Sequence, residues 1–379
     1  MRAKHIDDCD AELLEAYLSE RTSAGQEVQL FSHLESCQKC RAKLELGAAE
    51  STTWNSVREY LADTEHDSIQ LSGLHDVLRE ETSEDGQEGD SNTAQVASVL
   101  STLKPTDDPR MLGRLGPYEV SGVVGAGGMG IVLKGHDLSL ERTVAIKVLA
   151  PHLASSGAAR KRFAREAKAA AAVLHPNIMS IHGVKNDGPL PYLVMPYMRG
   201  ASLQKRIDAQ GPLSTKEILR VGSQIAAGLA AAHAQGLVHR DIKPANMMLE
   251  NGLETVAITD FGLARAVDDA TMTRSGVIAG TPQYMSPEQA RGEVIDARSD
   301  LFSLGSLIYA MCTGRSPFRA ETSFGVLQRI ANESPRDIVQ VNAEIPTWLC
   351  DLVAWLHEKS PDRRIQSARE VEQLLNDCL

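Results

Sequence analysis

The chain has 379 residues, 42% of them hydrophobic and 23% charged, an ordinary balance for a soluble globular protein with room for two or three domains. A formal net charge of −11 argues against a general nucleic-acid binder, which needs a basic face. No apolar run reaches the roughly 18–20 residues that cross a bilayer, and Met1–Asp10 is acidic with no apolar stretch of a signal peptide, so a cytoplasmic location without a membrane span is expected.

Residues 1–63 are helical in character, with Leu13, Leu14, Tyr17 and Leu18 at helical spacing. Within them His33-Leu34-Glu35-Ser36-Cys37-Gln38-Lys39-Cys40 reads H-x3-C-x2-C. On a helix over Val28–Ser36, His33 and Cys37 stand one turn apart and Cys40 returns from the turn that follows, a spacing suited to Zn2+. Cys9 is the candidate fourth ligand and His5 its competitor; the alternative is free thiols beside a surface histidine. A helical pair this small buries too little apolar surface to fold reliably alone, and structural zinc supplies about 10–16 kcal/mol. The segment resembles the zinc-binding domain of bacterial anti-sigma factors, which implies a regulatory protein as its partner. It departs from that family in having Cys9 where an early histidine is usual.

Residues 64–117 turn polar and acidic and read as a flexible linker, with Glu80–Pro109 disordered or loosely held. From Tyr118 the texture changes. Tyr118–Val124 and Thr143–Leu149 are strand-like, Ala158–Leu174 is an alanine-rich helix, and Ser214–Gln235, Asp300–Cys312, Thr347–His357 and Ala368–Cys378 are helices. A small β-rich lobe (about 118–195) followed by a larger helical one (about 199–379) is an α+β arrangement with a cleft between. The late cysteines Cys312, Cys350 and Cys378 read as buried or partly buried core thiols.

Four motifs follow one another in this half. Gly125-Ala126-Gly127-Gly128-Met129-Gly130-Ile131-Val132 fits G-x-G-x-x-G-x-V, whose glycines let backbone N–H groups approach phosphates. Val144-Ala145-Ile146-Lys147 ends an apolar strand on a lysine. His239-Arg240-Asp241-Ile242-Lys243-Pro244-Ala245-Asn246 sets a carboxylate five residues before an amide, and Asp260-Phe261-Gly262 adds a second carboxylate on a separate turn. On these residues, Tyr118 to about Asp377 resembles the catalytic domain of bacterial Hanks-type serine/threonine protein kinases. The bilobal fold of that family is the implied architecture, preceded by the small helical zinc-binding domain.

The resemblance implies transfer of the ATP γ-phosphate to Ser/Thr hydroxyls of protein substrates, in signal transduction. Asp241 would accept the hydroxyl proton, Lys243 would neutralise the transferring group, and Asn246 and Asp260 would hold Mg2+ (or Mn2+). Lys147 would hold the α- and β-phosphates and pair with Glu166 of the next helix. Gly125, Gly127 and Gly130 would cover the phosphates. Val124, Val132, Ala145 and Met248 would wall the adenine, with Met195 behind it and the Pro196 carbonyl and Met198 N–H at its edge. Pro196 replaces the family's usual glutamate; proline lacks an N–H but keeps the carbonyl that adenine needs.

Arg240 is expected to capture a phosphate on the activation segment, with Thr273 and Ser275 the first candidates and Thr271 the third; Thr281 would bond toward Asp241 and Lys243. His239 reads as a packed core residue bridging to the Asp-Phe-Gly turn. Glu288 is expected to pair with Arg364, and Asp300 to hold the catalytic-loop backbone. A homodimer is a further partner that the resemblance suggests. The competing reading is a catalytically silent pseudokinase that recruits a regulator through the zinc module; the intact Lys147, Asp241, Asn246 and Asp260 favour the enzyme.

Overall fold

The computed structural model describes residues 88–261 and 282–379, with side chains from residue 92. The candidate zinc ligands Cys9, His33, Cys37 and Cys40, the competing His5, and Thr271, Thr273, Ser275 and Thr281 lie outside the described residues.

Six antiparallel strands form one sheet in the order β1-β2-β3-β4-β6-β5, with β1 Gly113–Leu115, β2 Tyr118–Gly127, β3 Gly130–Asp137, β4 Arg142–Leu149, β5 Gly183–Lys185 and β6 Tyr192–Pro196. Valine and isoleucine fill β3 and β4, as suits a pleated, buried surface. The register opposes Val132 to Lys147, Lys147 to Leu193 and Ala145 to Met195. Because side chains alternate along a strand, Val132, Ala145, Lys147, Leu193 and Met195 share one face. Ile131, Leu133, Val144, Ile146 and Val148 take the other and are fully buried.

The loosely held linker expected over 64–117 is corrected for its second half. Glu88–Leu100 is a helix, α1, whose Val96 and Val99 are buried in the core of this sheet, and β1 falls at residues 113–115. Polar composition was a poor guide because three apolar residues, Val96, Val99 and Leu100, all fall on one helical face. Two helices connect β4 to β5, the short α2 (Pro151–Ala154) and the alanine-rich α3 (Gly157–Ala171). Ser156 caps α3 by accepting from the Ala159 amide.

The helical lobe begins with α4 (Leu203–Gln210) and α5 (Thr215–His233), the latter started by a Ser214/Glu217 capping box. A two-stranded hairpin follows, β7 Met247–Glu250 with β8 Thr255–Ile258. After α6 (Pro287–Arg291) comes α7 (Ala297–Thr313), buried on every side from Ser299 onward, as befits a helix at the centre of a lobe. Its surroundings are α8 (Ser323–Asn332), α9 (Ile338–Val341), α10 (Thr347–Leu356) and α11 (Ala368–Asn376). Cys312 is buried in this core and Cys350 half-buried, but Cys378 is exposed because α11 ends at Asn376. Among the described residues no helix is long and apolar enough to cross a membrane.

Candidate active site

The loop from His239 to Asn246 is held from beneath by one fully buried carboxylate. Asp300, near the start of α7, accepts from the His239 amide (2.8 Å) through Oδ2 and from the Arg240 amide (2.7 Å) through Oδ1. Oδ2 also lies 2.7 Å from His233 Nε2 at the end of α5. Arg240 needs this grip, since its φ of 71° is in the left-handed region that a side-chain-bearing residue enters at a cost. Gln289 of α6 donates its Nε2 to the Arg240 carbonyl at 2.7 Å. Gln289 is a residue the sequence reading missed, although its other role, as the N3 member of a capping box on Ser286, is visible as S-x-x-Q.

His239 is fully buried, as expected of a packed core residue. Its Nε2 faces the Thr259 carbonyl at 2.8 Å and its Nδ1 faces the Asp241 amide at 3.2 Å. A carbonyl only accepts and an amide only donates, so the ring carries its proton on Nε2. Its edge meets Phe261 with 4.5 Å between ring centres. The histidine thus joins the 239–246 loop to the turn that bears Asp260.

Asp241 receives Lys243 Nζ at 3.0 Å and Asn246 Nδ2 at 2.9 Å, both on Oδ2. Burial works against ionisation here. The Lys243 charge and the hydrogen bonds from Lys243 and Asn246 outweigh it and hold the carboxyl below the usual carboxylate range. Asp241 is therefore a charged acceptor throughout the neutral range.

Asn246 Nδ2 also donates to the Asp241 carbonyl at 2.8 Å, so its amide nitrogen is committed and its carbonyl oxygen is turned the other way. The β7–β8 register opposes Met247 to Ile258, and the Thr259 amide donates to the Asn246 carbonyl at 2.9 Å. This hairpin brings Asn246 and Asp260, about 50 Å apart were the chain extended, to neighbouring ends of two paired strands. An amide oxygen beside a carboxylate is a hard-oxygen donor set, and it fits Mg2+.

From the sheet, β4 delivers Lys147, whose Nζ lies 2.7 Å from Asp260 Oδ1. Among the described contacts the carboxylate beside Lys147 is Asp260. Glu166 is buried on the inner face of α3 with Ala159, Phe163 and Ala167. A nearly dehydrated ammonium binds the carboxylate that the β8 turn presents, because Coulomb attraction strengthens as water is excluded.

Gly127 and Gly130 pair across the β2–β3 turn and Gly125 opposes Val132. At Gly130 (φ 156°) a Cβ would fall 2.0 Å from the Val148 carbonyl oxygen, so only glycine closes the hairpin onto β4. Side chains at Gly127 or Gly128 would instead project into open space. Val132, Ala145 and Met195 stand on the cleft face, and Val124 sits exposed at a break in the β2–β3 register. Pro196 and Met198 are half-buried where the sheet gives way to the helical lobe, and Met248 is reached there through a bridge with Ser202.

Away from the cleft, Glu288 and Arg364 form the expected buried pair, with two bonds of 2.7 Å, and Ser299 Oγ donates to the same carboxylate at 2.6 Å. Asn177, a second residue the sequence reading missed, donates Nδ2 to the Val256 carbonyl and to Gln224, tying the loop after α3 to β8 and α5.

Residues 118–377 match the protein kinase domain family. The serine/threonine-protein kinase PknB of Mycobacterium leprae is 38% identical over 259 residues, 67% of this chain and 42% of that protein. The serine/threonine-protein kinase PrkC of Bacillus subtilis is 36% identical over 258 residues, 68% of this chain and 40% of that one. The chain therefore spans about two fifths of the length of these curated relatives. The crystal structure of the Mycobacterium tuberculosis PknI kinase domain superimposes with a TM-score of 0.58 at 25% identity, covering 70% of this chain and 98% of that one.

Proposed function

The chain belongs to the protein kinase family, and from that premise we propose that it transfers the γ-phosphoryl group of ATP to serine and threonine hydroxyls of protein substrates in bacterial signal transduction. The observation that carries this is the convergence of Lys147 from β4, Asp241, Lys243 and Asn246 from the 239–246 loop, and Asp260 from the turn after β8, three separate stretches of backbone.

The substrate hydroxyl gives its proton to the carboxylate of Asp241 as its oxygen attacks the γ-phosphorus, and ADP leaves. Lys243, already beside Asp241, lies where it offsets negative charge on the group in transfer. Asn246 and Asp260 would hold Mg2+, which neutralises phosphate charge when bound. Lys147 would then share its charge between Asp260 and the nucleotide phosphates. Val132, Ala145 and Met195 offer the adenine an apolar wall.

The test is γ-phosphate transfer to a generic basic protein, wild type against Asp241→Asn. Loss of about 100-fold or more is expected for the variant; equal rates would overturn the reading. The silent-scaffold alternative gains no support, since all of its dispensable residues are present and assembled.

Three finer readings rest on the sequence. Autophosphorylation at Thr273, Ser275 or Thr271 is captured by Arg240 and raises activity, with Thr281 bonding toward Asp241 and Lys243; mass spectrometry after ATP treatment checks it by the presence of phosphate between residues 268 and 275. Cys9, His33, Cys37 and Cys40 hold a structural zinc in a module that binds a regulatory protein, and elemental analysis of the Cys9→Ser, Cys37→Ser double variant is expected to lose the metal. A homodimer assists the first phosphorylation, which makes its rate concentration-dependent.

A further inference from the structure

We infer that Glu88–Leu115, which lies ahead of the family match, is a working part of the catalytic lobe, in which Val96 and Val99 seat α2 and thereby position α3 and its Glu166. The inference rests on the kinase reading only for its catalytic consequence; the structural coupling stands without it.

α1 docks through a narrow face. Val96 and Val99 are 1% and 0% exposed and share a core with Ile131, Leu133, Leu149, Leu153 and Phe163. The helix touches β2, β3 and α2. Beyond it the chain does not leave the lobe. Leu103 packs against the same core, and Lys104 and Arg114 exchange backbone bonds of 2.9 and 2.7 Å. Gly113, at φ 147°, makes that approach possible: a Cβ there would come within 2.8 Å of Leu103 Cβ and of the Lys104 carbonyl oxygen. The Leu112 amide donates to the Val120 carbonyl at 2.7 Å.

A polar clamp closes the segment. Glu119 of β2 is almost wholly buried, and it accepts Thr106 Oγ1 at 2.6 Å and Arg114 Nε at 2.5 Å. A buried carboxylate keeps its charge only while such partners remain, so the clamp resists peeling of residues 102–115 from β2.

The consequence falls on α3. Its buried face is Ala159, Phe163, Glu166, Ala167 and Ala170, with Phe163 the one large apolar side chain among them, and Arg160 ties it to the Asn186 and Gly188 carbonyls. Alanine methyls bury little area, so the helix takes much of its position from its neighbours. Its N-terminal neighbour is α2, four residues long, whose buried Leu153 and Ala154 lie in the core that Val96 and Val99 complete. Withdrawing α1 uncovers α2, and only Ser155 and Ser156 separate α2 from α3.

The test uses the full chain with Val99→Asp, Val99→Ala and Val99→Ile, reading amide hydrogen exchange together with kcat and KM for ATP on a generic basic protein. For Val99→Asp, exchange over residues 151–171 is expected to quicken by about tenfold or more while residues 297–313 stay unchanged. A fall of about tenfold in kcat/KM for ATP accompanies it, and Val99→Ile restores both. Val99→Ala is the milder variant, read in the same way should Val99→Asp not fold. Faster exchange confined to residues 88–103 would overturn the inference, as would an equal increase in both lobes, which means general destabilisation. Absence of transfer by the wild type would sink the kinase reading and leave the exchange result to decide the coupling alone.

Discussion

At the scale of single residues, the cleft is organised by charges that have few alternatives to one another. Lys147 is almost dehydrated and Asp260 faces it, so Lys147→Met is expected to lower transfer by about 100-fold or more while thermal unfolding shifts by only a few degrees, since Asp260 keeps partial access to water. Asp300 is different in kind. It touches no substrate, and it serves two backbone amides and a histidine from full burial. Asp300→Ala strands those donors and is expected to cost about 3–5 kcal/mol in urea unfolding, with activity lost besides. His357 supplies a pH signature. It is enclosed by Phe302, Phe318 and Ser306, and burial first, then the charges of Lys359 and Arg364, push it down to about 3. Its folded value lies below the unfolded one, so the stability it contributes is complete above about pH 6.5 and is lost as pH falls toward 3. The slope approaches about 1.4 kcal/mol per pH unit, and urea unfolding at a series of pH values checks it, with His357→Gln flattening the profile.

At the scale of elements, the same chemistry recurs as joints between helices. Glu288 at the start of α6 and Arg364 ahead of α11 are both buried and bonded twice. Glu288→Gln is expected to cost about 3–5 kcal/mol in chemical unfolding, because Arg364 is left charged and unpaired. Burial opposes ionisation of Glu288, and Arg364 and Ser299 overcome it to hold the carboxyl below its ordinary value. This contribution is full above about pH 4.5 and is lost as pH falls below it, overlapping the acid end of the window in which His357 acts. The β2–β3 hairpin is a joint of another sort, set by sterics. Gly130→Ala drives a methyl into the Val148 carbonyl at a φ that favours glycine, and is expected to raise KM for ATP by about tenfold as the loop lifts from β4.

At the scale of the whole molecule, the chemistry was legible in the sequence and its boundaries less so. His239, Asp300, Glu288 and Arg364 make the contacts the sequence implied, because such buried polar joints need particular residue types at particular spacings and admit few substitutes. Strands β2 and β4 and helices α3, α5, α7, α10 and α11 were visible in their periodicity, which reflects only local geometry and which side faces a core. Three readings needed tertiary contacts. Lys147 meets Asp260, a contact that depends on how far the turn after β8 stands from β4. Gln289 reached the Arg240 carbonyl across forty-nine residues. The stretch before Tyr118 looked like linker because its average is polar, and burial of Val96 and Val99 is decided by what lies opposite them. The sequence by itself therefore determined which groups are available and the pitch on which they repeat, both set by covalent chemistry and backbone sterics. Only the tertiary structure decided which charge meets which and where the catalytic lobe begins, because desolvation and Coulomb attraction act between residues far apart along the chain and turn on distances that the sequence does not contain.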